Sequence, residues 1–376
     1  MSDEKKGLAM GEQTEIPFQV ANTFDDPESV ALDTSTPVEP AAARRTRRVL
    51  KLRTLSVNEA TTYRTCPKLY KYQYVADGCG YEFIGTTFAL TFGSWWHIGQ
   101  EAWWLSRRER PDDPDAWIRA AFAAFRDPPK DERGKRPAPL DLYDMARVRA
   151  LMALYHLVYS KDGLTPLVVE HPFVAPMISP RGGLSVNWVG LDGRMDLVAH
   201  DRRGTKLVVE HKSTGMSIDD ESDYWDRVKF DMQISQYIEG ARAVGFDVQG
   251  VVYDVVRRPH ASLKANKPMP GETPEDFEKR LLTALFEEPE KYLRRKVVVR
   301  TEHEMSEARI DTWATARQIA NSHRDGLWPR HATSCSRYGH KCEFFGVCAG
   351  EEDLKNEKKF RPKKQSTNEK KETITV

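Results

Sequence analysis

Two short runs of residues could bring a pair of carboxylates and a lysine together. One reads Gly-Arg-Met-Asp and ends at Asp196, and the other reads Glu-His-Lys and spans Glu210 to Lys212. Each lies in a β-rich stretch, and the Asp-Arg-Arg-Gly turn at 201–204 between them predicts an antiparallel pair of strands. Asp196 and Glu210 then become cross-strand neighbours, about 5 Å apart at Cβ. Lys212 shares the face of Glu210, because alternate residues of a strand point the same way.

Two adjacent carboxylates on a half-buried sheet repel each other unless a cation lies between them. Oxygen ligands of this kind suit Mg²⁺ or Mn²⁺, and such an ion can polarise a phosphodiester and activate a bound water. The hairpin therefore predicts a metal-dependent hydrolytic site. An ordinary exposed strand carrying a Glu–Lys pair would give the same short pattern, and that alternative stays open on the hairpin alone.

Other residues of the same chemistry lie outside the hairpin. A Gly-x-x-x-His-x-x-x-Glu pattern places His97 and Glu101 on one helix face. A Gln-x-x-x-Tyr pattern, formed by Gln233 and Tyr237, lies on the helix predicted after the hairpin. Glu170, in Val-Val-Glu-His, is either a further acidic contributor or a surface residue of a strand.

The cysteines form a separate group. There are five, too few and too scattered to indicate a disulfide framework in a chain that looks intracellular. Cys66 stands alone near the start of the predicted fold, whereas Cys335, Cys342 and Cys348 are close together near its end. Cys79 fits no spacing. The pattern favours metal binding.

The order of these motifs carries a family resemblance. Histidine, G-R-x-D, E-x-K and Q-x-x-x-Y follow one another as in the RecB-like branch of the PD-(D/E)xK nuclease superfamily, and the likeness covers roughly residues 52–350. The resemblance implies that Mg²⁺ or Mn²⁺ is held by His97, Asp196 and Glu210. It also implies a set of catalytic residues, namely Lys212, Asp196, Glu210, Gln233 and Tyr237.

The cysteines extend the resemblance. One early and three late cysteines resemble the iron–sulfur staple of some RecB-like nucleases, including the AddB-type helicase–nuclease subunit and CRISPR-associated exonucleases. The resemblance implies a [4Fe–4S] cluster held by Cys66, Cys335, Cys342 and Cys348. Residues 336–341 separate two of the late cysteines further than is common in the family. A structural zinc ion, with His331 or His340 replacing a thiolate, is therefore the alternative.

The order of helical and β-rich stretches along the chain predicts an α/β fold, with helices first, then a mixed central sheet, and a cysteine-rich segment at its end. A capping box at Ser56 opens a helix expected to run on through Tyr74. A strand is expected at Leu184–Gly190, a long helix at Tyr224–Val244 and a further helix start at Thr273. The resemblance implies that the sheet, flanked by helices, is a restriction-endonuclease-like core.

Charge and composition set the domain limits. Residues 1–51 are predicted to be a disordered tail, acidic and then basic, and residues 351–376 a disordered charged tail. Residues 52–350 are expected to form one nuclease domain, divided into a helical part (52–165), a catalytic sheet core (166–300) and a cysteine-rich segment (301–350). Four arginines of the basic run are either a solvated edge or contacts to DNA phosphates: Arg44, Arg45, Arg47 and Arg48.

Charge, targeting signals and the missing nucleotide-binding motif limit the classes of protein to which this chain could belong. The formal net charge is only +1, Met1–Met10 lacks the pattern of a secretory signal, and no stretch favours a membrane span. We therefore expect a cytoplasmic protein without a membrane partner. No Walker A motif is present, so a helicase or recombination protein is a possible partner. The leading hypothesis is a DNA exonuclease of recombination, repair, phage or CRISPR processing; the alternatives are a structure-specific or restriction-like endonuclease and a non-catalytic DNA-binding scaffold.

Overall fold

The computed structural model describes residues 54–85, 87–130, 134–182, 190–259, 266–337 and 340–363, all of which belong to one compact unit. The strands are β1 Thr54–Ser56, β2 Tyr81–Phe83, β3 Thr165–Pro176, β4 Gly190–His200, β5 Lys206–Thr214, β6 Val251–Arg257, β7 Leu293–Val298, β8 Ser336–Arg337, β9 His340–Lys341 and β10 Phe360–Pro362. The α-helices are α1 Val57–Thr65, α2 Pro67–Tyr70, α3 Phe88–Glu109, α4 Pro114–Arg126, α5 Leu142–Tyr159, α6 Asp223–Lys229, α7 Met232–Ala243, α8 Pro274–Glu287, α9 Glu302–Asp325 and α10 Phe345–Ala349.

Six strands form a mixed sheet. Its order is β1-β4-β5-β6-β7, with β3 on the other edge of β4. The pairs β1–β4 and β5–β6 are parallel, and the remaining pairs are antiparallel. The β-branched runs of the central strands suit a sheet covered on both faces. The α/β fold with a mixed central sheet is confirmed, and it is consistent with a restriction-endonuclease-like core.

Helices cover both faces, and the alternation of strand residues assigns each side chain to one face. Val208 packs in a cluster with residues of α1, α7 and α9. Val209, its neighbour, packs in a second cluster with residues of α3, α4, α5 and α8. This alternation places Glu210 and Lys212 on the α7 face and His211 on the α3 face.

Local signals explain several element boundaries. The Ser56 side chain accepts a hydrogen bond from the Glu59 amide, and the Glu59 carboxylate accepts one from the Ser56 amide, which confirms the predicted capping box. Thr273 caps α8, as predicted. Among the described residues, no helix is long and apolar enough to cross a membrane.

Two predicted helices are each interrupted. The first ends at Thr65, and Cys66 takes an extended conformation (φ −164°, ψ 116°) because Pro67 follows it and disfavours helical geometry in the preceding residue. The predicted helix at 224–244 is broken at Phe230 and Asp231, where the Asp231 side chain caps α7.

The C-terminal tail also differs from the prediction. It does not begin at residue 351, because β10 pairs antiparallel with β2 and Phe360 is buried against Phe344 and Tyr81. Burial of an aromatic ring outweighs the charged composition around it. The N-terminal tail at 1–51, its four arginines, residues 364–376 and most of the strand predicted at 184–190 lie outside the described residues.

Candidate active site

The site lies where one edge of β4 changes partner. β3 pairs with one edge of β4 from residue 190 to residue 200, with a single interruption at Asp196. The other edge pairs with β1 at residues 190–192 and with β5 at residues 197–200. Residues 193–196 therefore face a fork between β1 and β5. Asp196 lies at the inner end of the fork, next to the first β4–β5 pair.

Three carboxylates line up across the sheet at this point. The β4–β5 pairing ends at Leu197 and Val209, and Asp196 and Glu210 are the next residues beyond it, close enough for the Asp196 charge to raise the pKa of Glu210. The β3–β4 register brings Glu170 opposite Asp196 on the other side. The structure therefore bears out the hairpin register expected from the turn, and it adds Glu170 to the row. We call Glu170, Asp196 and Glu210 the carboxylate row.

Glu170 has an unusual backbone. Its φ of +50° lies in the left-handed region, which residues other than glycine adopt only rarely. No Cα pairing is made at this position, although pairing continues on both sides of it. A strained residue held between two paired segments is typical of functional sites, and here a ligand atom of the strained residue lies within 4.8 Å of one of Asp196.

A histidine from α3 completes the group. His97 Nδ1 lies 3.7 Å from an oxygen of Asp196. Ligand atoms of His97, Glu170 and Asp196 all lie within 4.8 Å of one another, and no other three His, Cys, Asp or Glu ligand atoms in the described part of the chain do so. The backbone amide of His211 donates to Asp196 Oδ2 at 2.8 Å, which holds this carboxylate in the fork.

Crowding and burial perturb the ionisation of the site. Burial, reinforced by the charges of Asp196, Glu101 and Glu210, raises the pKa of Glu170 to about 8. Burial and Asp196 also raise the pKa of Glu210, and the nearby Lys212 only partly offsets the shift. Burial lowers the pKa of His97, which favours the neutral imidazole that a metal ion requires. A cation would relieve the repulsion that keeps these carboxyl groups protonated, and it would meet an uncharged histidine.

A hydrogen-bonded chain leads from the row to α7. Lys212 Nζ donates to Glu210 Oε1 at 2.5 Å and to Gln233 Oε1 at 2.8 Å. Gln233 Nε2 is placed within 2.9 Å of Glu210 Oε1 and 2.7 Å of the Tyr237 hydroxyl. Burial lowers the pKa of Lys212, but the charges of Glu210 and Asp196 outweigh it and raise the pKa overall. The lysine is therefore a fixed positive charge.

One atom of the row has no partner. Glu210 is almost completely buried, and its Oε2 has no hydrogen bond within the described residues. A buried carboxylate oxygen without a donor is costly, and a cation beside Asp196 would satisfy it. The donor set of one imidazole and several carboxylate oxygens suits Mg²⁺ or Mn²⁺ better than a soft metal. The residues present therefore fit a divalent cation.

The back of β5 is held by a second polar network. His211 lies on the α3 face, as strand alternation predicted, with Nδ1 3.1 Å from Asp254 Oδ2. Asp254 also accepts from the Tyr155 hydroxyl at 2.6 Å and pairs with Arg295 at 3.1 Å. Burial alone would raise the pKa of Asp254, but Arg295 and His211 hold it well below its usual range. This network sets the position of the strand that carries Glu210 and Lys212.

The four predicted cysteine ligands meet at one place. Cys66, Cys335, Cys342 and Cys348 line one open cavity with about 370 Å³ of empty space. Burial raises the pKa of Cys342, and the nearby Cys66 and Cys335 thiols raise it further. The backbone joins the two ends of the chain here, since Lys68 donates to the Pro329 carbonyl at 3.1 Å.

The residues expected from the sequence thus form two groups in the structure, and Glu170 joins the first of them. His97, Asp196, Glu210, Lys212, Gln233 and Tyr237 lie together at the fork, and the four cysteines lie together in their cavity. Sequence patterns left Glu170 undecided, because its role depends on the kink that interrupts β3. The signal available was a lone acidic residue in an apolar strand.

A family model described as the PD-(D/E)XK nuclease superfamily matches residues 54–349. The matched range includes the fork, α7 and all four cysteines that line the cavity. No curated protein matches the chain.

Proposed function

Because the chain belongs to the PD-(D/E)XK nuclease superfamily, we propose that it is a metal-dependent DNA exonuclease that hydrolyses phosphodiester bonds. The family indicates a nuclease that uses a divalent metal. The observation that carries the proposal is the carboxylate row beside His97 and Lys212, at the fork of the sheet. A scaffold protein would have no need for strained and crowded acids of this kind.

His97, Glu170 and Asp196 would hold the metal ion, and Glu210 would join them through its unpartnered oxygen. When bound, Mg²⁺ or Mn²⁺ supplies Lewis-acid polarisation of the phosphate and a more acidic water. Glu101, one helical turn from His97, adds negative charge nearby, and burial raises its pKa. The acids therefore bind the cation and, through it, the negatively charged phosphodiester.

Lys212 would stabilise the charge that develops on the phosphate. Its ammonium group is held by Glu210 and Gln233, so little reorganisation is needed when the reaction proceeds. Tyr237 is buried and contacts the Gln233 amide. We therefore assign Gln233 and Tyr237 as positioning residues that set the direction of the lysine.

The proposal that DNA is the substrate is supported by an arginine side chain near the end of β5, the strand that carries Glu210 and Lys212. The Arg258 amide donates to the Thr214 carbonyl at 2.8 Å. Thr214 is two residues beyond Lys212 and hence about 7 Å further along β5. The Arg258 guanidinium lies beside Gly215 and 5.9 Å from the centre of the Phe92 ring, and it makes no ion pair with a carboxylate among the described residues. Partial burial lowers the pKa of Arg258, and a DNA phosphate would compensate its half-buried charge. The four arginines at 44–48 and a helicase or recombination partner stay predictions.

The exonuclease assignment is supported by the resemblance to RecB-like nucleases. It is tested with end-labelled linear duplex and covalently closed circular DNA in the presence of Mg²⁺ or Mn²⁺. We expect mononucleotides or short products from the linear DNA and an intact circle. Cleavage of the circle would replace the exonuclease with an endonuclease, and binding without cleavage of either DNA would indicate a scaffold.

The cysteine cavity is proposed to hold a [4Fe–4S] cluster that ties the two ends of the domain together. A zinc ion bound by four thiolates at 2.3 Å would place the sulfur atoms about 3.8 Å apart. In the described part of the chain, no three cysteine sulfurs lie within 4.8 Å of one another. That wider spacing favours a cluster over a single zinc ion. Hydrolysis transfers no electrons, so the role proposed for the cluster is structural.

A further inference from the structure

Phe230 presents an aromatic ring to solvent beside the candidate active site. Its relative exposure is 88%, the highest of any large apolar side chain that the structure describes. It lies at the break between α6 and α7, three residues before Gln233, so the two Cα atoms are at most about 11 Å apart. Gln233 contacts the catalytic lysine.

The corner that carries Phe230 is held by hydrogen bonds on both sides. Arg300 donates to the Val228 carbonyl at 3.3 Å and to the Asp231 carbonyl at 3.5 Å. The Asp231 carboxylate accepts from the Tyr253 hydroxyl at 2.6 Å and from the Gln233 amide at 2.9 Å. The corner is therefore ordered by its polar groups, and the ring contributes little to its folding.

Single exposed apolar side chains are common and need no special role. Phe230 differs because an anchored backbone presents the ring three residues before Gln233, the group that orients the reactive lysine. An aromatic ring on an ordered support loses little entropy when it binds a flat partner. A nucleobase is the flat surface that a nuclease brings to this position.

We propose that Phe230 stacks on a nucleobase next to the scissile phosphate. This inference rests on the proposed function and deepens it. An internal base pair of duplex DNA has both faces covered by its neighbours, whereas a terminal or unpaired base has a free face. The substrate class is therefore a DNA end or a single strand. Base–aromatic stacking is worth about 1–3 kcal/mol by alanine substitution, so removal of the ring should weaken binding by about 5- to 150-fold.

The test compares Phe230→Ala, Phe230→Trp and the control Phe286→Ala. Phe286 is also exposed, at 56%, and lies on α8 away from the fork. Binding of a single-stranded oligonucleotide with 2-aminopurine at its end is measured by fluorescence in EDTA, where catalysis does not intervene. Thermal melting is measured for each variant, and steady-state cleavage with Mg²⁺ separates effects on KM from effects on kcat.

We expect Phe230→Ala to lose affinity and 2-aminopurine quenching, with a raised KM, a nearly unchanged kcat and wild-type melting. Phe230→Trp should keep the wild-type affinity, quenching, KM and melting temperature. Phe286→Ala should match wild type in every measurement. Equal binding by the two alanine variants would overturn the inference, as would a lower melting temperature that accounts for the loss. Cleavage with no difference among variants would refute this inference alone. DNA binding with no cleavage by wild type would refute the nuclease proposal alone.

Discussion

Replacing Glu170 with glutamine should stabilise the metal-free protein at alkaline pH. The folded-state pKa of Glu170 is about 8, against an ordinary value of 4.5. Because the folded state holds this proton more tightly than the unfolded state, its stabilising effect is complete below about pH 4.5. It is lost as the pH rises towards 8. The shift corresponds to at most about 5 kcal/mol, which Glu170→Gln should recover in part, since an amide carries no charge.

Thermal or urea unfolding of wild type and variant, in EDTA at about pH 5 and about pH 9, measures this effect. At the lower pH the side chain at position 170 is neutral in both folded proteins and little of the effect has been lost, so the two proteins should differ little in stability. At the higher pH the variant should be more stable by up to several kcal/mol. Glu307→Gln is the matched control, because Glu307 is exposed on α9, and it should behave as wild type at both pH values.

Addition of Mn²⁺ supplies the second half of the same experiment. The metal ion should stabilise wild type strongly at alkaline pH, because it relieves repulsion within the carboxylate row, and should stabilise Glu170→Gln much less. Wild type should also release protons on binding Mn²⁺ near neutral pH. A variant no more stable than wild type in alkaline EDTA, or equal Mn²⁺ stabilisation of both proteins, would refute the placement of Glu170 in the metal site.

Three further predictions concern other parts of the molecule. Cys342→Ser should remove the brown colour and the absorbance near about 400 nm expected of a [4Fe–4S] cluster and lower the melting temperature; a colourless, zinc-containing wild type prepared without oxygen would contradict it. Asp254→Asn should cost about 3 kcal/mol in urea unfolding, the lower end of the range for a broken buried ion pair, because the buried Arg295 loses one of its two carboxylate partners and keeps Asp162, and wild-type stability would show that the network does not support β5. Charge reversal of four arginines should lower both DNA affinity and its dependence on salt, and an unchanged salt slope would make them a solvated edge: Arg44, Arg45, Arg47 and Arg48.

The sequence predicted the hairpin because its register depends on local features. The turn at 201–204 and the alternation of apolar residues were enough to place Asp196 beside Glu210, and the register agrees. The PD-(D/E)XK nuclease superfamily followed from motif order, and the family match confirms the superfamily; the RecB-like branch stays a prediction. The hairpin register and the order of motifs can both be read along the chain without knowledge of its tertiary contacts.

The features that the sequence did not predict depend mostly on contacts between segments that are distant along the chain. Glu170 joins the site through a kink in β3, and an apolar strand sequence gives no sign of a positive φ. The end of the first helix at Thr65 followed from Pro67, a signal that was present in the sequence. The pairing of β10 with β2 joins residues 279 positions apart. The charged residues around Phe360 predicted a disordered tail, so this strand was not expected.

The central claim is that the carboxylate row and Lys212 form a metal-dependent nuclease site. Cleavage of end-labelled linear DNA by wild type, by Asp196→Ala and by Lys212→Ala, in Mg²⁺ and in excess EDTA, tests it most directly. Wild type should cut only with the metal ion, and each variant should lose about 100-fold or more in rate, because each lacks several kcal/mol of transition-state stabilisation. Full wild-type cleavage in EDTA, or wild-type rates from Asp196→Ala, would contradict the account.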